Sequence, residues 1–134
     1  MSSKASRGLL DTSVVIDLDV VPETALPLET AIAAVTLAEL SAGIHTTNDA
    51  AERAARAGRL QRAEAVWDPL PFDANAARNY GHLVALVVAA GRKPRPRRLD
   101  LMIAATAAEA GLPLYTRNPH DFAGLETVVT VIAV

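Results

Sequence analysis

The sequence of 134 residues contains no cysteine, and only 4% of its residues are aromatic. The absence of cysteine excludes disulfides and thiolate metal sites, so any bound metal must have oxygen or imidazole ligands. The hydrophobic residues, 51% of the chain, are mostly Ala, Val and Leu. This composition favours helices packed on a buried sheet, and therefore an α/β fold, over an all-β sandwich.

The sequence also lacks an apolar run long enough to span a membrane and a recognisable secretion signal. We therefore expect a cytoplasmic protein with no membrane partner. A chain of this length predicts a single domain over residues 1–134, with residues 1–7 as a flexible N-terminal extension. The net charge is only −2, which by itself does not indicate a nucleic-acid partner.

Short apolar strands alternate with helical segments along the chain, which predicts a parallel sheet with right-handed crossovers. The predicted strands cover residues 8–11, 31–35, 112–116 and 128–134, with a possible edge strand at 70–72. The predicted helices cover residues 13–19, 36 to 43 or 45, 48–67, 73–91 and 99–110. Residues 92–98, which contain two prolines and five basic residues, are predicted to form a non-helical loop.

Four acidic residues lie where a strand or a loop gives way to a helix: Asp11, Glu39, Asp100 and Asp121. In a parallel sheet these transitions mostly share one edge, so the four carboxylates are expected to converge there. Convergent carboxylates are the ligands that Mg²⁺ and Mn²⁺ prefer. Such ions activate water and polarise phosphodiesters, so the pattern indicates nuclease chemistry.

Each acid also has a purely structural interpretation. Asp11 is placed to cap the following helix, and Thr36-x-x-Glu39 fits a capping box. Asp100 is placed to stabilise the positive end of a helix dipole, and Asp121 to form a turn. We read Asp17 and Asp19, which lie further along the first helix, as surface residues.

Neutral and basic residues lie near the same transitions. The polar candidates for orienting ligands or binding phosphate, which are equally able to terminate strands, are Thr12, Ser13, Thr116 and Asn118. The basic segment leading into Asp100 predicts phosphate contacts to RNA, with a solvated loop as the alternative, and comprises Arg92, Lys93, Arg95, Arg97 and Arg98. Four further arginines, at positions 53, 56, 59 and 62, are read as a solvated helix face, with an RNA or partner contact as the alternative. The helix after Asp100 is predicted to pack inward through Leu99, Met102, Ile103, Thr106 and Ala107.

Three segments carry a family resemblance: LLDTSVVID, VTLAELSAGI and DLMIAATAAEAGLPLYTRNPHDF. In this order and spacing they resemble the PIN domains of VapC toxins from bacterial toxin–antitoxin modules. The resemblance extends from Gly8 to Val134. It implies a three-layer α/β/α fold and an Mg²⁺- or Mn²⁺-dependent endoribonuclease whose metal-binding acids are Asp11, Glu39 and Asp100.

The resemblance leaves the fourth acid open between two positions. Many PIN domains have an aspartate where this chain has Asn118, and others use the one before the phenylalanine, which here is Asp121. We favour Asp121 as the charged residue and Asn118 as a polar helper. The resemblance also implies a homodimer, inhibition by a cognate VapB antitoxin, and a toxin–antitoxin assembly that binds DNA through the antitoxin.

The sequence therefore predicts a toxin that cleaves structured RNA, whether tRNA, rRNA or mRNA, to inhibit translation and growth. A non-catalytic PIN-like module that binds RNA or its antitoxin is the main alternative. An aspartyl-phosphate enzyme with Asp11 as nucleophile is disfavoured, because such phosphohydrolases need a second aspartate at position 13, where this chain has Ser13.

Overall fold

The computed structural model describes residues 6–134. Its strands are β1 (Arg7–Leu10), β2 (Glu29–Ala31), β3 (Leu114–Thr116) and β4 (Val131–Ala133). Its α-helices are α1 (Thr12–Ile16), α2 (Ala34–Gly43), α3 (Ala50–Val66), α4 (Ala74–Ala89) and α5 (Arg98–Ala110). Short 3₁₀ helices cover Glu23–Ala25, Ile44–Thr46, Arg95–Arg97 and Pro119–Phe122. No helix within residues 6–134 is both long and apolar enough to cross a bilayer.

The four strands form one parallel sheet in the order β2-β1-β3-β4. Leu9 pairs in register with Ala31 on one side and Leu114 on the other. These three residues pack with the buried faces of α4 and α5 in one apolar cluster. The next residues along β1 and β3, Leu10 and Tyr115, belong to a second cluster with residues of α1 and α3. Because successive strand residues face opposite sides, helices cover both faces, and the predicted three-layer α/β/α fold is confirmed.

Several element boundaries differ from the prediction. The helix α1 ends at Ile16 rather than residue 19, and β3 and β4 are shorter than expected. The strand β2 lies at Glu29–Ala31, earlier than predicted, and α2 already begins at Ala34. The predicted edge strand is reduced to one bridge, in which Leu70 pairs with Ala33. Apolar runs alone do not fix where a buried strand ends and the next helix begins.

Two predictions around the basic segment are wrong. Arg95–Arg97 forms a 3₁₀ turn and Arg98 is already part of α5, because prolines in the first turn of a helix lose no hydrogen bond. Leu99 does not pack inward but is 48% exposed, since the buried stretch of α5 begins only at Leu101. The helix ends at Gly111 as predicted, in the left-handed conformation that glycine adopts without strain.

The predicted N-terminal extension lies mainly outside the described residues, which exclude 1–5. Its last residue, Arg7, begins β1 and pairs in register with Glu29 of β2.

Candidate metal centre

Asp11 lies directly after β1, and the residue is only 4% exposed. Its backbone occupies the position before α1, but its carboxylate makes no capping bond to that helix. Instead the hydroxyls of Ser13 and Thr116 both donate to Asp11 Oδ2, each at 2.8 Å. The helix-cap interpretation of Asp11 is therefore wrong for its side chain, which takes its donors from α1 and β3.

The two hydroxyls that contact Asp11 are themselves oriented by backbone amides. The Arg117 N–H donates to Ser13 Oγ at 3.2 Å, and the Asn118 N–H donates to Thr116 Oγ1 at 2.9 Å. Since each hydroxyl oxygen accepts a hydrogen bond from a backbone amide, its own proton is directed to the Asp11 carboxylate. Among residues 6–134 no donor bonds to Oδ1, so this oxygen is the one left for a ligand.

Glu39 lies in the second turn of α2, facing Thr12 of α1. The Thr12 hydroxyl donates to Glu39 Oε1 at 2.8 Å and lies 3.0 Å from Thr36 Oγ1. The capping-box interpretation is wrong, because α2 begins at Ala34 and places Thr36 inside the helix. Burial raises the pKa of Glu39, the Thr12 hydrogen bond lowers it, and the nearby Asp11 charge raises it further.

Asp100 occupies the first turn of α5. Burial, and after it the charges of Asp11, Asp121 and Glu39, raise the pKa of its carboxyl to about 6. The Arg97 guanidinium opposes them by lowering the pKa. The four predicted acids are therefore close enough to interact electrostatically, although each comes from a different part of the chain.

Asp121 and Asn118 differ in their relation to this cluster. Asp121 lies in the Pro119–Phe122 turn, and its Oδ1 atom is 3.4 Å from Arg97 Nη1. Asn118 is exposed and contributes a backbone N–H to Thr116, while its side chain makes no cap bond. Of these two positions, Asp121 is therefore the one whose charge raises the pKa of Asp100.

The predicted RNA-binding residues divide into two groups. Arg92 and Arg97 are partly buried and donate to backbone carbonyls of residues 120–123, which sequence reasoning did not predict. Lys93, Arg95 and Arg98 are exposed. The basic segment therefore offers three exposed cations rather than five.

The arginines of α3 are partly involved in structural contacts. Arg56 pairs with Glu52 at 2.9 Å, which agrees with the helix-face interpretation, and donates to the Gly43 carbonyl at 2.7 Å. Arg56 and Arg59 also line a cavity of about 310 Å³ together with Thr12 and Glu39. This proximity could not be predicted from local patterns, because α2 and α3 meet only in the folded chain.

The donor chemistry of the cluster fits a hard divalent cation. Carboxylate and hydroxyl oxygens dominate, and mutual repulsion of the acids is a cost that a cation removes. Within residues 6–134, no three His, Asp or Glu side chains are grouped tightly enough to enclose an ion unaided. Mg²⁺ does not need such a cage, because it retains several waters and binds through one or two carboxylates plus substrate phosphate.

Comparison with known proteins agrees with this architecture. Residues 8–126 match the family model of the PIN domain. The chain is 39% identical over 136 residues to Ribonuclease VapC5 of Mycobacterium tuberculosis, covering 98% of this chain and 96% of that protein. It is 37% identical over 101 residues to Ribonuclease VapC8 of the same species, covering 75% and 89% of the two chains.

Solved structures show the same relationship. A crystal structure of VapBC-5, a toxin–antitoxin system of M. tuberculosis, superposes with a TM-score of 0.85 at 37% identity, covering 96% of this chain and 99% of that one. A toxin–antitoxin complex from Klebsiella pneumoniae gives a TM-score of 0.63 at 29% identity, covering 92% and 96%. The chain therefore belongs to the PIN domain family and, within it, to the VapC ribonucleases.

Proposed function

We propose that this ribonuclease is an Mg²⁺-dependent endoribonuclease toxin, with Mn²⁺ able to substitute, that cleaves structured RNA in the cytoplasm. By stopping translation it inhibits growth. The observation that supports this most strongly is the Asp100 carboxyl, whose pKa is raised by burial and by three other acids from separate elements. A site that gathers this much like charge gains most when a divalent cation binds.

The residues that would hold one or two ions are Asp11, Glu39, Asp100 and Asp121. When bound, the ion supplies Lewis-acid polarisation of the phosphodiester and activation of the attacking water. Asp11 is held by two hydroxyls on Oδ2, so its other oxygen has a fixed direction towards the ligand. Thr12 keeps Glu39 oriented and favours its charged form.

RNA would approach the site along the exposed cations of the basic segment. Lys93, Arg95 and Arg98 lie just before Asp100 in the chain and neutralise phosphates next to the cleaved bond. Replacing all three with Gln should weaken RNA binding by an Asp11→Asn protein and reduce its dependence on salt. An unchanged salt dependence would exclude this segment as the RNA contact.

A cognate VapB-type antitoxin is the partner that we propose for an apolar groove beside the site. The groove has a volume of about 500 Å³ and lies between α1 with its following loop and α3. Its exposed apolar side chains include Leu18, Leu28 and Val66. Ile16 and Arg59 line both this groove and the Glu39 cavity, so a bound segment would lead directly to Glu39.

The support for this partner is the similar chain in the VapBC-5 toxin–antitoxin structure. A homodimer, and an assembly that binds DNA through the antitoxin, complete the proposal. Leu28→Asp is expected to prevent co-purification with the antitoxin while leaving RNA cleavage intact, and normal co-purification would exclude this groove.

The proposed activity is tested by inducing the protein in cells and mapping new RNA 5′ ends, with Asp11→Asn as the inactive variant. Asp68→Asn is the matched control, because Asp68 is exposed and does not interact with the acid cluster. New ends that depend on Asp11 and not on Asp68 would identify both the reaction and its RNA. Equal cleavage by the Asp11 variant would favour a non-catalytic module.

A further inference from the structure

Arg97 links the turn that carries Asp121 to the start of α5, the helix that carries Asp100. Its Nη1 atom donates to the Asp121 carbonyl at 2.9 Å and lies 3.4 Å from Asp121 Oδ1. The Arg97 side chain is only 21% exposed. Arg97 directly precedes α5, which carries Asp100 in its first turn.

Other contacts hold the backbone of the Pro119–Phe122 turn, among them the hydrogen bond from the Asp121 N–H to the Asn118 carbonyl at 3.0 Å, but they do not reach the Asp121 carboxylate. Pro119 has no N–H, and the Asn118 side chain makes no cap bond to the turn. Phe122 anchors one end in the core at 1% exposure. Arg92 contacts the carbonyls of His120 and Ala123, which flank Asp121. Arg97 is the side chain among the described residues that bonds to both the backbone and the carboxylate of Asp121.

We propose that Arg97 is a positioning residue, which holds the Asp121 turn against the start of α5 so that Asp121 and Asp100 can share a divalent cation. This inference rests on the proposed metal site. It assigns to Arg97 a role different from the phosphate contact expected from its place in the basic segment. A planar guanidinium that reaches a carbonyl and a carboxylate together fixes both the distance and the direction of the turn.

Two other roles for Arg97 predict different results. If Arg97 only binds RNA phosphate, removing it leaves metal affinity unchanged. If Arg97 acts only through its positive charge, removing it strengthens metal binding, because the guanidinium repels the metal ion. The positioning role predicts the opposite sign, a loss of metal affinity.

The experiment measures Mn²⁺ binding to the full-length, RNA-free toxin by isothermal titration calorimetry. We expect Arg97→Gln to weaken Mn²⁺ binding about tenfold, the size usual for residues that support a metal ligand. Arg97→Lys keeps the charge but loses the planar guanidinium that reaches both the carbonyl and the carboxylate of Asp121. Its Mn²⁺ affinity should therefore lie between those of Arg97→Gln and the unaltered protein. Arg78→Gln is the matched control, because Arg78 is an exposed arginine of α4 that bonds to Asn75, and it should bind Mn²⁺ like the unaltered protein.

A second arm tests whether Arg97 acts through Asp121. In an Asp121→Asn background, Arg97→Gln should weaken Mn²⁺ binding by less than about twofold, because the ligand it positions is already gone. Unchanged or tighter Mn²⁺ binding by both Arg97 variants would overturn the proposal, as would full additivity with Asp121→Asn. Should Arg97→Gln fail to fold, Arg97→Lys carries the same comparison.

The same titration separates this inference from the proposed function. Asp11→Asn should abolish Mn²⁺ binding if the acid cluster is the metal site. Normal binding by Asp11→Asn would refute the metal site itself, whatever Arg97 does. Loss of binding in Asp11→Asn with normal binding in both Arg97 variants would refute only the positioning role.

Discussion

Asp11 and Asp100 face the same site, but their surroundings differ in kind. Asp11 is held by two hydroxyl donors that are oriented by backbone amides of residues 117 and 118. No hydrogen bond to the Asp100 carboxylate is found within residues 6–134, and burial and three neighbouring acids disfavour its charge. One side of the site is thus ordered by hydrogen bonds, and on the other side carboxylates repel one another, with Arg97 opposing that repulsion in part.

In the proposed metal site, this difference means that the Asp11 side is already ordered by the protein's own hydrogen bonds. Hydrogen bonds to Asp11 fix a ligand direction, because the donors lie on β3 and α1 and cannot move independently of the sheet. Repulsion at Asp100 stores an unfavourable energy that binding of a cation releases. Substitutions on the two sides should therefore have different effects on activity and stability.

The largest of these effects is expected for Thr116→Val, which alters the hydrogen-bonded side. Valine has nearly the same shape, but it removes a donor to Asp11 and leaves the Asn118 N–H without its acceptor. We expect RNA cleavage to fall about 10- to 100-fold in kcat/KM, as for other residues that orient metal ligands. The measurement is cleavage of a target RNA at saturating Mg²⁺.

Thr106→Val is the matched control for Thr116→Val. Thr106 is also buried, but its hydroxyl donates to the Met102 carbonyl within α5 and does not contact the acids. It should retain normal kcat/KM. Equal losses in the two variants would mean that Thr116 contributes only through stability.

A smaller effect is expected for Thr12→Val, which removes the donor to Glu39. Since that hydrogen bond lowers the pKa of Glu39, its loss raises the pKa and leaves more of the carboxyl protonated in mild acid. Cleavage should fall by up to about tenfold at the acidic end of the pH profile and by less at alkaline pH. A loss of the same size at every pH would show that Thr12 does not act by favouring the charged form of Glu39.

The smallest expected effect is a change in stability, and it comes from substituting Asp100. The pKa of Asp100 is about 6 in the folded protein and 3.8 in its ordinary state, so the folded protein binds a proton more tightly than the unfolded chain. Stability of the metal-free protein therefore decreases as pH rises between about 4 and about 6, and stays lower above that range. Asp100→Asn removes this charge and should stabilise the metal-free protein.

We expect a gain of about 1 kcal/mol at neutral pH, after allowing for screening at this partly exposed carboxylate. The gain should largely disappear below about pH 4, where Asp100 is protonated in both states. Thermal unfolding in a metal-free buffer at both pH values measures it, with Asp68→Asn as the surface control. A variant less stable than the unaltered protein at neutral pH would mean that the Asp100 carboxylate makes a favourable contact.

Much of the fold could be predicted from the pattern of apolar runs and caps. The order of strands and helices follows from it, and Gly111 ends α5 as expected. The ends of β2 and α2 could not be located, because the apolar run at residues 31–35 is compatible with strand and helix alike. The prediction that Leu99 packs inward is wrong, because the helical spacing of apolar residues does not show where the core ends.

The site could be predicted in part for a similar reason. The position of each acid at a strand or loop end is visible in the sequence, and the parallel sheet brings such ends together. The direction of each side chain is not visible. Whether Asp11 caps α1 or accepts from Ser13 and Thr116 depends on β3, which lies more than a hundred residues along the chain.

The sequence by itself determined the fold class, the four acids and the family resemblance, because these depend on residue type and local spacing. Only the tertiary structure decided which basic residues remain exposed, and that Arg92 and Arg97 bind the turn that carries Asp121. It also decided that Glu39 faces Thr12 rather than its own helix start. Each of these contacts joins segments at least 24 residues apart, which no local pattern records.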